Sequence, residues 1–543
     1  MKKAIPIGVN SYRKLREENY YTVDKSRMIA EFLKRKTTVT LITRPRRFGK
    51  TINMSMLASF FDITEDSKAI FRDTEIMKTE YAKQLNYYPT IFLSFADAKG
   101  SIKNITKFIK IQIAKAYTRY MHILDDVNIF EKAQLEAIIQ GLNDLESGSL
   151  DSIEDAISFL MSKCHQYYGK KVMLFCDEYD TPFIEAHTGG FYEELRESLA
   201  AILHTSLKTS DDLQYAMLTG IQRVAKENVF SDLNNLLVCT VNDHRYAEYF
   251  GFTEEEVKKA LQAYDLPFTE EIKQMYDGYN MGGVDIYNPW SVINYLDHKK
   301  LMPYWVNTSS NKMMRQAMQN CDVSFKEGYD ELIRTGTVTA LVNFETSFYE
   351  LQETNSLWGL FVNAGYLTTY KVLDEFIGQY SLRIPNREIA REFQSLTAYY
   401  FHVDESSVAY LLDNLQKKNW KGFLMCYQGI LVSAVSYFDL VSENSYHTLL
   451  LGLLMPLDNK YEIISNKESG HGRVDVMLRS RVKGKPSFLF ELKFTKDDRV
   501  DLKALAKEGY DQILEKSYYP DMKNLIRIGI AHRRKQAEIY VKE

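Results

Sequence analysis

Residues 44–51 read Arg-Pro-Arg-Arg-Phe-Gly-Lys-Thr, directly after the apolar run Thr38-Val-Thr-Leu-Ile-Thr43. Gly49, Lys50 and Thr51 match the end of the phosphate-binding pattern G-x-x-x-x-G-K-[ST], and Arg44 stands where its first glycine would be. In that pattern, backbone N–H groups at a helix N-terminus draw phosphate oxygens. The lysine reaches the terminal phosphates and the threonine hydroxyl meets Mg²⁺. Asp177-Glu178 follows the hydrophobic run Val172-Met-Leu-Phe175. There Asp177 would hold Mg²⁺ and Glu178 would orient the attacking water. Thr219 ends the run Leu213-Gln-Tyr-Ala-Met-Leu-Thr219, where its side chain could meet the γ-phosphate or that water. Arg223, just beyond, is placed to stabilise transition-state charge. The expected ligand is ATP with Mg²⁺, bound by Arg46, Arg47, Phe48, Gly49, Lys50, Thr51, Asp177 and Thr219. Arginine at position 44 removes backbone freedom that glycine would supply. Arg44, Arg46 and Arg47 either clamp phosphates or fill the loop.

A second group lies near the C-terminal end. Asp475 falls in one apolar run, and Glu491-Leu-Lys493 follows Phe488-Leu-Phe490 in the next. The two-residue period of a strand puts Glu491 and Lys493 on one face. A neighbouring strand can bring Asp475 beside Glu491. Two carboxylates offering only oxygen suit Mg²⁺ or Mn²⁺. Such a site activates water against a phosphodiester, with Lys493 positioning the nucleophile. Glu443 is a possible further metal ligand, and Gln512 a supporting residue. His447, on an apolar helix, and His471, in a turn, are read as structural hydrogen-bonding groups.

These residues need a frame. Hydrophobic runs at 38–43, 88–95, 171–177, 213–219 and 236–240 read as strands, and 101–168 as helices with apolar positions three and four apart. A strand and then a helix are expected over residues 20–36. Strands alternating with helices imply α/β architecture with a doubly wound, mostly parallel sheet, whose carboxyl edge binds ligands. Residues 250–440 read as mainly helical, with tyrosine-rich turns at 276–280 and 287–291 treated as packing. From about 440 the order becomes αβββαβ. The expected domains are 1–250, 251–440 and 441–543.

The 543 residues are too many for one core. Five cysteines, none in a C-x-x-C pair, argue against a disulfide framework and for a reducing compartment. The N-terminus lacks the apolar core of a signal peptide, and the longest apolar stretches fall short of a membrane span. The expected location is cytoplasmic. Net charge is −4, but residues 1–60 hold 14 Lys/Arg against 4 Asp/Glu, and residues 443–543 hold 19 against 15. The basic ends suit anionic ligands; the acidic middle does not suit DNA.

Val23-Asp-Lys-Ser26, Arg44-Pro-Arg-Arg-Phe-Gly-Lys-Thr51, Asp177-Glu-Tyr-Asp180, Leu218-Thr-Gly-Ile221, Phe230-Ser-Asp-Leu-Asn-Asn235 and Tyr276-Asp-Gly-Tyr279 occur in that order. Together they resemble the AAA-ATPase-like family of bacterial proteins over roughly residues 1–300. The resemblance implies a P-loop ATPase fold, with Lys50 and Thr51 at the phosphate and Mg²⁺ positions and Asp177 and Glu178 at the metal and water positions. Tyr446-His-Thr-Leu-Leu450, Ser465-Asn-Lys-Glu-Ser-Gly-His-Gly-Arg473, Phe490-Glu-Leu-Lys493 and Gln512 resemble the PD-(D/E)XK nuclease superfamily over about 440–535. That likeness implies a nuclease core of Asp475, Glu491 and Lys493, with Val474 where the family has proline, and DNA or RNA as partner.

The leading expectation is an ATP-binding module, hydrolytic or not, joined to a metal-dependent nuclease, with oligomerisation open and no membrane partner. The competing expectations are a nucleotide-gated regulatory module with little catalysis, and a scaffold that keeps the nuclease fold as structure alone.

Overall fold

The computed structural model describes residues 2–208, 210–223, 235–305, 312–319, 321–345, 353–400, 405–434, 443–457, 460–469 and 472–542. Five strands form the N-terminal sheet: β1 (Val39–Thr43), β2 (Thr90–Ser94), β3 (Val172–Asp177), β4 (Leu213–Gly220) and β5 (Leu236–Cys239). They lie in the order β2-β3-β4-β1-β5 and every pairing is parallel. Each run is apolar on successive residues because both faces are covered. Leu41, Leu174, Cys176, Ala216 and Leu218 pack on one face with the helices Ile102–Arg119, Ala156–Tyr168 and Tyr192–Leu207. Ile42, Met173, Phe175 and Met217 pack on the other with Arg27–Arg35 and Lys50–Phe61. The alternation is that of a doubly wound sheet.

The strand order matters for chemistry. β4 is inserted between β1 and β3, with Thr43 level with Gly220 and Cys176 level with Leu218. The end of β4 therefore falls between the phosphate-binding loop after β1 and the carboxylates after β3. The segment expected as a strand near residue 20 is only an isolated bridge, Ala4 to Tyr20, ahead of its helix.

The middle of the chain is largely helical, but it also contains strands. A hairpin joins β6 (Tyr279–Met281) to β7 (Val284–Ile286). An antiparallel sheet in the order β8-β10-β9 joins β8 (Thr337–Leu341), β9 (Thr368–Asp374) and β10 (Gln379–Arg383). These short runs are rich in β-branched and aromatic residues, which suit a half-buried sheet. Trp305, Tyr329, Trp358, Phe361 and Phe393 join the apolar core on one face of the N-terminal sheet. Tyr276, Tyr279 and Tyr287 are buried as packing.

The C-terminal sheet runs β11 (Tyr461–Ser469), β12 (Gly472–Ser480), β13 (Ser487–Phe494), β14 (Leu525–Arg533) and β15 (Gln536–Val541) in sequence order. Only the β13–β14 pair is parallel. Helix Glu443–Leu454 covers one face, and the crossover helix Leu502–Glu515 joins β13 to β14. This is the αβββαβ order with a final strand added. The helices Glu405–Gln416 and Trp420–Ala434 pack into the same core through Leu411, Tyr427 and Ile430. Helix Leu502–Glu515 lies close on β14: a Cβ on Gly529 would stand 2.0 Å from the Ala506 carbonyl oxygen.

Candidate functional site

At the first site the chain turns from β1 into helix Lys50–Phe61 through Gly49, whose φ of +82° is left-handed and suits glycine. Arg47 also has positive φ, at +70°. Lys50 is buried, and its Nζ donates to the carbonyl oxygens of Arg44 (2.9 Å) and Pro45 (2.8 Å). Burial holds its pKa below the ordinary lysine value.

Asp177 anchors the opposite wall. Its carboxylate accepts from Thr51 Oγ1 at 2.8 Å and Thr219 Oγ1 at 2.7 Å, with Ser94 Oγ at 3.5 Å. Burial, then the charge of Glu178, push its pKa up, while the two threonine hydroxyls oppose the shift. Glu178 follows in a left-handed conformation, φ +50°, and Thr181 Oγ1 donates to it at 3.2 Å. Loop, β3 end and β4 end thus meet through three side chains drawn from positions 51, 177 and 219.

The loop arginines take separate roles. Arg44 is fully buried and turns away from the site. Its guanidinium donates to the carbonyls of Thr43 (2.8 Å), Cys239 (3.0 Å) and Thr240 (2.7 Å), tying β1 to the end of β5. Arg47 lies 4.2 Å over the Trp290 ring, and Arg46 accepts at its carbonyl from Trp305 Nε1 at 3.1 Å. Phe48 is buried edge-on against Tyr279, so its side chain is core. Arg223 is paired with Glu345. Phe230 to Asn234 lie outside the described residues, and Val23 to Ser26 make their contacts elsewhere, with Lys25 paired to Glu256.

Asp180 was not singled out from the sequence, although it closes the Asp177-Glu-Tyr-Asp180 run. It is buried, and one carboxylate oxygen accepts from the amides of Ile221 (2.8 Å) and Gln222 (2.9 Å). Tyr179 Oη donates to the Gln222 carbonyl at 2.8 Å. Residues 179 and 180 therefore fix the chain just after Thr219. Burial raises the Asp180 pKa to about 6. Its role was invisible because its partners lie 41 and 42 residues away.

At the second site β12 and β13 pair as far as Val476 with Phe490. Beyond that point the Asp475 side chain takes over, accepting from the Leu492 amide at 2.7 Å. Lys493 Nζ stands 3.8 Å from Glu491 Oε1 and donates to Gln512 Oε1 at 2.6 Å. Gln512 Nε2 donates in turn to Glu491. Burial raises the Asp475 pKa against the amide bond and the nearby Lys493. His447 Nε2 is 2.9 Å from the Asp475 carbonyl oxygen and 3.1 Å from Ser465 Oγ, a structural contact. Glu443 begins the helix above, but its side chain lies outside the described residues, as does His471. Among the described residues no group of three or more His, Cys, Asp or Glu is gathered for a metal.

Both donor sets fit a hard divalent cation. The Thr51 hydroxyl with the Asp177 carboxylate, and the carboxylates of Asp475 and Glu491, offer oxygen only. A cleft of about 1180 Å³ is lined in part by Arg387, Arg391, Arg481, Met302, Ile463 and Ser465, and it meets the C-terminal sheet along β11. No helix among the described residues is long and apolar enough to cross a membrane.

Residues 6–230 match the AAA-ATPase-like family, described as "Predicted AAA-ATPase". Residues 441–541 match the PD-(D/E)XK nuclease superfamily. An uncharacterised protein from the vnfD 5′ region of Azotobacter chroococcum mcd 1 is 29% identical over 397 residues, covering 72% of this chain and 68% of its own. A solved structure of a signal transduction ATPase with numerous domains, carrying a tetratricopeptide repeat sensor, from Pyrococcus horikoshii is 11% identical. It aligns with a TM-score of 0.23 over 76% of this chain and 53% of its own, about half the length of that neighbour.

Proposed function

We propose that this chain, which carries an AAA-ATPase-like domain and a PD-(D/E)XK nuclease superfamily domain, binds Mg²⁺–ATP at the first and uses it to control phosphodiester cleavage at the second. The observation that carries the reading is the meeting of Thr51 and Thr219 on the Asp177 carboxylate, at the carboxyl edge of a sheet ordered β2-β3-β4-β1-β5. Gly49 and the amides that follow it offer donors to phosphate, and Lys50 moves from the Arg44 and Pro45 carbonyls to a phosphate oxygen. Thr51 and Asp177 would hold Mg²⁺, and Glu178 orients the attacking water. Asp475 and Glu491 would hold the second divalent ion, with Lys493 and Gln512 placing water and the scissile phosphate. When bound, these ions supply charge neutralisation at phosphate and a lowered pKa for water.

The test is cleavage of single- and double-stranded DNA and RNA by the full chain with Mg²⁺ or Mn²⁺, with and without ATP. Asp475→Ala abolishes cleavage, and Lys50→Ala abolishes ATP binding and the ATP effect. Cleavage that survives Asp475→Ala, or ATP affinity that survives Lys50→Ala, refutes the corresponding half.

One observation favours a second reading, a nucleotide-gated regulatory module with little turnover. Lys50 is satisfied by its own loop, and that loop is braced by Trp290, Trp305 and Tyr279. In that case ATP binds and changes partner or substrate engagement while hydrolysis stays at background.

A further inference from the structure

A buried chain of hydrogen bonds ends on the backbone of Lys493. His532, in β14 and level with Phe494 of β13, is fully buried. Its Nδ1 lies 3.2 Å from the Lys493 carbonyl oxygen, and its Nε2 lies 2.9 Å from Tyr427 Oη. Tyr427 belongs to helix Trp420–Ala434 and is also fully buried. Tyr446 stacks on the imidazole, with ring centroids 4.2 Å apart.

These partners fix the protons. A carbonyl oxygen only accepts, so Nδ1 carries the proton. Burial keeps the ring neutral, lowering its pKa to about 3. Nε2 therefore keeps its lone pair, and Tyr427 donates to it. The opposite tautomer would set a nitrogen lone pair against the carbonyl oxygen.

The ring acts through the main chain. Successive residues of a strand point to opposite faces. The Lys493 amine reaches Gln512, on the crossover helix Leu502–Glu515. Ile528 and Ile530, which share a face with His532, pack instead into the core that holds Tyr427 and Tyr446. The helix that supplies Tyr427 is fastened to the same sheet twice more. Gln428 Nε2 donates to the Ala537 carbonyl at 2.7 Å, and Lys535 Nζ donates to the Val432 carbonyl at 3.0 Å. That helix lies outside residues 441–541, the segment that matches the nuclease superfamily.

We infer that Tyr427 and His532 are positioning residues for phosphodiester cleavage, pinning the Lys493 main chain so that its amine stays at Gln512 and Glu491. The inference rests on the nuclease reading proposed above. It brings helix Trp420–Ala434 into the working unit of the second site. A positioned group that shifts slightly loses rate more than binding.

The test uses the full chain. Tyr427→Phe combined with His532→Phe removes both polar bonds and keeps both ring shapes, an exchange that leaves a buried core close to its original stability. His532→Asn keeps a donor at the Nδ1 position but gives up the stack on Tyr446 and the Tyr427 partner. Cleavage of labelled DNA and RNA with Mn²⁺ is followed beside thermal unfolding. The double variant unfolds with wild type yet loses roughly tenfold in kcat, with KM within about twofold. His532→Asn unfolds earlier yet keeps more of its kcat. A purely structural role would instead rank activity in the order of stability. Amide exchange gives a readout that needs no activity. The Thr495 amide donates to the His532 carbonyl oxygen at 3.0 Å, and its exchange is faster in the double variant while β11 is unchanged. A wild type that cuts nothing refutes the nuclease reading, and exchange at Thr495 still decides whether Tyr427 and His532 hold the strand. Wild-type kcat in the double variant, activity that follows stability across the variants, or unchanged exchange at Thr495 overturns the inference.

Discussion

Glu388 offers a sharp test of how the middle region is held. It is fully buried, and its carboxylate accepts from Ser291 Oγ (2.8 and 2.9 Å) and from the Trp305 amide (2.8 Å). Burial outweighs those bonds and raises its pKa from 4.5 to about 7. The ionised form therefore costs about 3 kcal/mol more in the folded chain than in the unfolded one. The sign follows from the raised value: this contribution favours folding fully below about pH 4.5, and it is lost as pH rises through 7. Glu388→Gln keeps an acceptor for both donors and never ionises. The stability of the variant relative to wild type should therefore climb by about 3 kcal/mol between roughly pH 4.5 and 8.5. Urea unfolding followed by tryptophan fluorescence reads this directly, because Trp290, Trp305 and Trp358 all lie in this part of the chain. A difference between variant and wild type that is flat across this range would refute the reasoning.

Thr219→Val removes one of the hydroxyls that donate to Asp177 while keeping the side-chain shape. It should cost roughly 1.5–3 kcal/mol, the value of a hydrogen bond to a charged group, and weaken Mg²⁺–ATP binding; thermal unfolding and calorimetric titration measure the two effects. Gly529→Ala forces a Cβ against the Ala506 carbonyl oxygen and the Tyr510 amide. The overpacking should cost about 1–3 kcal/mol and shift Gln512 away from Glu491, lowering phosphodiester cleavage more than ATP binding. Gln512→Ala should reduce cleavage by removing the bridge between Lys493 and Glu491, with cleavage by the Gln512→Glu variant as a comparison for the charge at that position.

The parallel sheet was legible because each of its strands is a short, mostly apolar run, and two of them end beside Asp177 and Thr219. The pairing of Asp475 with the Glu491 strand was legible from the two-residue period of β13. Local periodicity cannot show which distant residues supply partners. Arg44 reads as part of a phosphate loop, yet its guanidinium is spent on the carbonyls of Thr43, Cys239 and Thr240. Arg223 reads as a catalytic cation, yet it meets Glu345, 122 residues away. Asp180 holds the amides of Ile221 and Gln222, just past the end of β4 and 41 and 42 residues away. The strands β8 to β10 were missed because they are set among helices and apolar residues such as Leu341, Tyr370, Val372 and Leu373 stand exposed, so no clean alternation marks them.

The bracing of residues 45–48 has a consequence for how this protein changes over time. Gly365 packs on Pro45, Trp305 bonds Arg46, Trp290 carries Arg47, and Tyr279 meets Phe48. All four contacts come from beyond residue 250. The first 250 residues are thus not a transplantable cassette. A recombinant that exchanges them between relatives inherits a loop fitted to the wrong neighbours, and changes on the two sides of that boundary must be inherited as a set.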